Sequence, residues 1–378
     1  MFDYFWIVIA GGIASFTAAM GIGANDVANA FASSVGSKAL TVKSAVLIAS
    51  IFECAGAVLM GSHVAKTIRK DIADYECFED SPDIFIYGCF SVLISVTLWL
   101  FMASYLEMPV STTHSCVGGM IGMTMITGGY NCVIWYKETN SFPFIGGVSG
   151  IVLSWFISPI FSALIAGFIY YITRLTILRR DNSFDKAYVS LPIFVGLTLL
   201  LNSFFIIYKG GKGIGLDDIS AETSILISLG ISLFSSLSII PFIPKLKQKV
   251  IAKFNNQTLP EKVKCIKNKE NPPEVEIQSS KCNKYIINFK KNINYDVENE
   301  FTNDKIKEIH DKSEKFDKKT EESFKYLQIF TAICDSFSHG ANDVANAIGP
   351  YAAIVMIYTN DGELSNKVEM NEHAYWIL

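Results

Sequence analysis

Gly23-Ala24-Asn25-Asp26-Val27-Ala28-Asn29-Ala30 recurs residue for residue as Gly340-Ala341-Asn342-Asp343-Val344-Ala345-Asn346-Ala347. Eight identical residues near opposite ends of one chain point to internal duplication. The surroundings of the copies decide what was duplicated. Of 378 residues, 50% are apolar and only 18% charged, against about a quarter charged in an average soluble chain. The charges are also unevenly placed: the stretch from Lys245 to Lys325 holds 19 lysines and 14 acidic residues, nearly half of all the charge in the chain. The long uncharged runs that remain describe a multispanning membrane protein with one large polar loop.

Eight runs are long and apolar enough to span: 4–32, 44–62, 84–106, 108–136, 141–173, 189–208, 223–244 and 326–358. The first has no basic residue before it, so it reads as an uncleaved span and not as a secretory signal. Basic residues orient the rest. Arg174, Arg179, Arg180 and Lys186, together with the lysines of 245–325, place those two loops in the cytoplasm. Alternation then puts the N-terminus outside, Lys38 and Lys43 inside, and 63–83, 137–140 and 209–222 outside. The first copy of the repeat therefore runs inward and the second runs outward. The expected fold is all-α, a polytopic membrane protein with inverted-topology repeats, and such repeats build secondary transporters around a site near the midplane. The chain divides into a membrane domain at 1–244, a Lys-rich hydrophilic cytoplasmic loop at 245–325, and the start of a second repeat at 326–378.

The loop carries Pro272 and Pro273 and lacks the apolar content to build a core. It reads as a solvated spacer. Lys245, Lys247 and Lys249 offer a weaker case for anionic lipid, and Asn256-Gln257-Thr258 matches the glycosylation pattern on the wrong side of the membrane. Outside the loop the chain is acidic, which excludes a nucleic-acid binder. The eight cysteines show no zinc spacing. Most read as buried thiols, while Cys77 and Cys132 share an exofacial side and can pair.

An aspartate inside a span is costly and marks a functional site. Asn25 and Asn29, four apart, share a helix face with Asp26. Carboxylate and amide oxygens are hard ligands suited to alkali cations, and amide N–H groups suit an anion. Ala24, Ala28 and Ala30 permit close helix approach, and Gly23 and Gly340 can bend the helix. Polar and small residues also serve as ordinary interhelical glue, but two identical copies weigh against that reading alone. A second constellation, Pro109-Val110-Ser111-Thr112-Thr113-His114-Ser115, looks like a helix start. Unpaired N–H groups there suit a phosphate-like anion, with the hydroxyls of Ser111, Thr112 and Thr113 as further donors. Glu53 lies in mid-span, and Asp335 precedes Asp343 by two helical turns.

The two GANDVANA copies, the PVSTTH stretch and the large loop between the halves resemble the inorganic phosphate transporter family, the sodium/phosphate symporters. The resemblance covers about 4–358 and implies about a dozen membrane segments and cation-coupled phosphate uptake, with sodium or in some members protons. It implies cation ligands at Asp26, Asn29, Asp343 and Asn346, with Asp26 and Asp343 holding sodium. It implies phosphate contacts from Asn25, Asn342, Ser111, Thr112 and Thr113, and a functional role for Glu53. His114, within the same hydroxyl-rich stretch, is a further candidate, although a histidine in such a place is more often a structural hydrogen-bond former than a proton relay. The family carries a second PVSTTH-like stretch, whereas this chain ends at Leu378 without one, so the expectation is a C-terminally truncated member.

The expected function is symport of inorganic phosphate with sodium by alternating access, with no enzymatic activity and no cofactor. The expected partners are phosphate, sodium or protons, and the lipid bilayer, with a homodimer left open. The expected location is the plasma membrane. A channel, a phosphate-sensing receptor or an intramembrane aspartyl protease are the alternatives. The last lacks its G-x-G-D spacing at Gly21-Ile22-Gly23-Ala24-Asn25-Asp26.

Overall fold

The computed structural model describes residues 4–139, 144–209, 219–258, 308–309 and 311–364. Positions 259–307 of the polar loop, with Pro272 and Pro273, and the 365–378 tail lie outside the described residues, as do the side chains of 62–70, 209 and 256–258. Nine α-helices are described: α1 (Phe5–Gly36), α2 (Val42–Lys70), α3 (Pro82–Tyr105), α4 (Thr112–Thr127), α5 (Gly147–Thr173), α6 (Ser183–Lys209), α7 (Ala221–Ile239), α8 (Ile243–Thr258) and α9 (Lys318–Thr359). The described sheet is two residue pairs, β1 (Lys137–Glu138) against β2 (Ile145–Gly146), antiparallel. The protein is an all-α, multi-pass membrane protein.

Six described helices are long and apolar enough to cross a membrane, against eight expected spans. Two expected spans account for the difference. Segment 108–136 is not one long helix: α4 has 16 residues and is followed by a 3-10 turn at Tyr130–Cys132, so it rises only about 24 Å. α9 is long enough, at 42 residues, but the polar residues of its repeat dilute its hydropathy. The expected polar loop also gives up both its ends, since α8 runs through 245–258 and α9 begins at Lys318.

α1 and α9 lie side by side and run in opposite directions. Phe5 meets Tyr358, a Cβ at Gly11 would touch Ile354, Ser15 Oγ donates to Ala347 O at 3.0 Å, and Ser37 Oγ donates to Gln328 Oε1 at 2.8 Å. As one index rises the other falls, so the two repeat copies are antiparallel, as the loop charges predict. Neither repeat glycine breaks its helix: α1 and α9 are continuous through Gly23 and Gly340. Gly340 has a packing role instead. A Cβ there would overlap the Glu53 backbone, with Cα at 2.5 Å, and a Cβ at Gly56 would lie 2.9 Å from Ala341 N. α2 and α9 thus cross nearly backbone to backbone, which fixes Glu53 against the second repeat.

α3 and α4 form a hairpin. Its turn needs a left-handed residue, Glu107 (φ 56°), and Met108 N–H closes on Ala103 O at 2.9 Å. At the far end the Cys77–Cys132 disulfide joins the segment before α3 to the end of α4, which fits the exofacial placement of both cysteines. Isolated pairing of Ala73 with Val133 continues this cap. The main core lies beneath it, with Phe85, Leu93, Leu100, Met120 and Ile354 fully buried. α6 and α7 are joined by hydroxyls: Ser232 Oγ donates to Gly196 O at 2.8 Å and Ser236 Oγ to Pro192 O at 2.9 Å. α5 exposes Phe156, Leu164 and Phe168, an apolar face suited to lipid.

At the opposite end basic side chains meet acids on α6, on the first turns of α9 and just before α9. Glu314 accepts from Arg179 Nε and Arg174 Nε, each at 2.7 Å. Lys253 Nζ reaches Glu322 at 2.5 Å, and Lys247 pairs with Asp185. Lys247, one of the three lysines of the Lys245, Lys247 and Lys249 cluster, is therefore engaged with Asp185 of α6.

Candidate functional site

The antiparallel copies cross where their aspartates face each other, and the imidazole of His339 stands between them. His339 Nε2 lies 3.2 Å from Asp343 Oδ2 and 3.8 Å from Asp26 Oδ2, and its Nδ1 lies 3.4 Å from Glu53 Oε1. Three helices thus converge on one ring: α1 through Asp26, α2 through Glu53 and α9 through His339 and Asp343. Ligand atoms of Asp26, His339 and Asp343 all fall within 4.8 Å of one another. Asp26 is 6% exposed.

The tip of the hairpin brings a fourth element. Ser111 caps α4, its Oγ accepting from His114 N at 3.3 Å, so the hydroxyl-rich stretch does start a helix as its Pro-Val-Ser-Thr-Thr pattern predicts. Thr112 is 2% exposed and donates its Oγ1 hydrogen to Asp343 Oδ2 at 3.1 Å. Asn346 Nδ2 donates to Thr112 Oγ1 at 3.0 Å and to Thr113 Oγ1 at 3.1 Å. The α4 N-terminus, with its unpaired N–H groups and partial positive charge, therefore abuts the carboxylates. The tip is held there by Asn25, whose Nδ2 donates to Met108 O at 3.0 Å and whose Oδ1 accepts from Val110 N at 3.1 Å.

Asp26 Oδ2 and Asn346 Oδ1 are buried without a hydrogen bond, and Glu53 Oε1 and His339 Nδ1 have only their ion pair with each other. Unsatisfied buried oxygens are costly unless a ligand completes them. An oxygen-rich set with two or three carboxylates suits a hard monovalent cation, and the helix N-terminus with its threonine hydroxyls suits a tetrahedral oxyanion.

The residues expected at the site do not all reach it. Asp26, Asp343, Glu53, Thr112, Thr113 and Asn346 gather there. Asn25 is adjacent, but both its amide groups are committed to the hairpin backbone. Asn342 is exposed and donates to Asp343 Oδ1 at 3.2 Å. Asn29 is exposed with no hydrogen bond among the described residues, and the Ser111 hydroxyl caps its own helix. His114 turns away and packs on Trp155 of α5, with ring centroids 3.9 Å apart. Identical copies thus meet different neighbours: Asn346 is 1% exposed, while its counterpart Asn29 faces outward.

His339 is the central residue that sequence reasoning did not single out. Its signal was available, since it directly precedes the second Gly-Ala-Asn-Asp. The first copy has Ile22 in that place, so a search confined to what the copies share passes over it.

Comparison with known proteins agrees with this arrangement. The sequence profile described as the phosphate transporter family matches residues 22–378. The sodium-dependent phosphate transporter 1 of Mus musculus is 35% identical over 250 residues, and that of Homo sapiens is 36% identical over 249. These alignments take in 66% of this chain and 35% of each relative, so the matched part spans about a third of those proteins. A solved structure named as the sodium-dependent phosphate transporter superposes with a TM-score of 0.69 at 31% identity, covering 98% of this chain and 72% of its own. The duplicated motif, the antiparallel helices that carry it and these matches together place the chain in the phosphate transporter family.

Proposed function

We propose that this protein carries inorganic phosphate across a membrane together with a cation, most simply sodium, and that the two repeat helices rock about the crossing point in alternating access. One observation carries this reading: carboxylates from antiparallel repeats converge on the N-terminus of a threonine-capped helix. Phosphate carries one or two negative charges near neutral pH. An inside-negative potential opposes its entry by about 2.3 kcal/mol per charge per 100 mV. Sodium ions held by the side-chain oxygens of Asp26, Asp343, Glu53 and Asn346 would neutralise that charge. Thr112, Thr113 and the first N–H groups of α4 would then hold the phosphate oxygens.

His339 in this scheme occupies the cation space from one side and orients the carboxylates, so it acts as a positioning residue. The plasma membrane suits an importer of this type, and a homodimer would supply further cover for the apolar face of α5. Relatives named as transporters support a non-enzymatic role.

The test is uptake of labelled phosphate into proteoliposomes holding the full-length protein. Asp26→Asn and Asp343→Asn are each expected to abolish the sodium-dependent part, while Asp26→Glu restores a fraction. Sodium-dependent uptake at wild-type rates in both Asn variants would overturn the assignment.

A further inference from the structure

A second polar space lies apart from the site just described. An open pocket of about 350 Å³ lies between α1, α6 and α9 and is lined by, among others, Ser34, Asn202, Gln328, Thr331, Asp335 and Ser338. None of Asp26, Glu53, His339, Asp343 or Thr112 lines it, and α6 contributes nothing to the first site. A polar cavity within a membrane bundle holds water and marks a path for ions or substrate.

Its position is set by helix spacing. Asp335, His339 and Asp343 are four residues apart and share one face of α9, so Asp335 lies about 12 Å along the axis from Asp343. The displacement is toward the basic end of the protein: at the cavity's edge Gln328 accepts from Ser37 Oγ at 2.8 Å, and beyond it Lys325 Nζ donates to Lys38 O at 3.5 Å. The cavity therefore sits between the aspartate crossing and the cytoplasmic ends of α1 and α9.

Its chemistry selects a charge sign. Asp335 has no hydrogen bond or salt bridge among the described residues, and no basic side chain lines the space with it. The remaining lining is hydroxyls and amides, with Asn202 Oδ1 accepting from Ser338 Oγ at 3.0 Å. An unpaired carboxylate among neutral oxygens attracts a hydrated monovalent cation and repels phosphate.

We infer that this cavity is a cytoplasmic-side cation vestibule, in which Asp335 receives an alkali cation leaving the Asp26–Asp343 crossing. That the cation is sodium rests on the symport proposed above; the cavity's preference for positive charge does not.

Cys334, a free thiol on the same wall, reports on it directly. In a Cys54→Ser, Cys265→Ser, Cys282→Ser background, inside-out vesicles of the full-length protein are treated with a trimethylammonium or a sulfonate methanethiosulfonate. Labelling of Cys334 is followed by mass. After correction for intrinsic reactivity, the cationic reagent should react about tenfold faster than the anionic one. Sodium should slow it several-fold relative to N-methylglucamine at equal ionic strength, and Asp335→Asn should remove both effects. Equal corrected rates in the parent protein, no effect of sodium, or no labelling at all would each overturn the vestibule, whether or not Asp335→Asn folds. Loss of charge preference alongside Asp343-dependent uptake sinks only the vestibule. Preserved preference alongside uptake that ignores Asp26 and Asp343 sinks only the symport reading.

Discussion

Replacing Gly340 or Gly56 with alanine tests the crossing of α2 and α9 on which the site depends. A Cβ at Gly340 would come within 2.5 Å of Glu53 Cα, and one at Gly56 within 2.9 Å of Ala341 N. Ordinary contact begins near 3.4 Å, and the opposing atoms are backbone, so no side chain can swing aside. The helices must separate by roughly 1 Å, and overpacking of this kind costs about 1–3 kcal/mol. At roughly 2–4 °C per kcal/mol for a mid-sized domain, the melting temperature of the purified protein should fall by several degrees. The same separation pulls Glu53 away from His339, now 3.4 Å distant, so sodium-dependent phosphate uptake should fall with it. Because both substitutions push the same pair of helices apart, their effects should not add. The double variant should melt close to the worse single variant. Melting within about a degree of wild type for both single variants, or strict additivity in the double, would refute the backbone-to-backbone crossing.

Removing the Thr112 hydroxyl as Thr112→Val leaves Asp343 and Asn346 without a shared partner. It should cost about 1–3 kcal/mol, read by thermal melting, with Thr112→Ser restoring the loss; equal melting of the valine and serine variants would count against the bond. Replacing Cys77 and Cys132 with serine opens a loop of 55 residues, worth about 4 kcal/mol on a chain-entropy estimate, so the variant should melt well below the wild type and lose its sensitivity to reductant. Glu314 is held below the usual carboxylate range by the hydrogen bond from Arg179 and by Arg174. Its stabilising effect is therefore present above the unfolded carboxylate value and disappears as pH falls through the lowered one. Wild type should out-melt Glu314→Gln at neutral pH and converge with it in acid; a gap that persists or widens in acid would contradict the pairing.

Much of the architecture was legible because bilayer physics writes it in plain composition. Long apolar runs had to be helices, and the parity of basic loops fixed the opposed directions that Ser15–Ala347 and Ser37–Gln328 display. What escaped was decided by neighbours. Residues 108–136 read as one span because Val133, Ile134 and Trp135 are as apolar as a helix interior, yet they belong to the cap around the Cys77–Cys132 disulfide. The ends of the polar loop look unstructured by composition, but α8 gains partners in Asp185 and in Glu322 of α9, and the segment leading into α9 gains Arg174 and Arg179 through Glu314. Sequence identity assigned Asn29 and Asn346 one role. Only packing separates them, since the hairpin tip meets the second copy at Asn346 and the first at Asn25. His339 escaped because its importance comes from three carboxylates on three helices, a convergence that no local pattern encodes.

The central claim is a shared pocket in which cation and oxyanion stabilise each other. Binding of labelled phosphate to the purified full-length protein, titrated with sodium, tests it most directly, because linkage requires each ligand to raise the affinity of the other by the same factor. The account predicts that sodium tightens phosphate binding in wild type and that this enhancement disappears in both Asp26→Asn and Asp343→Asn. Phosphate binding indifferent to sodium in the wild type, or equally enhanced by sodium in both variants, would contradict it.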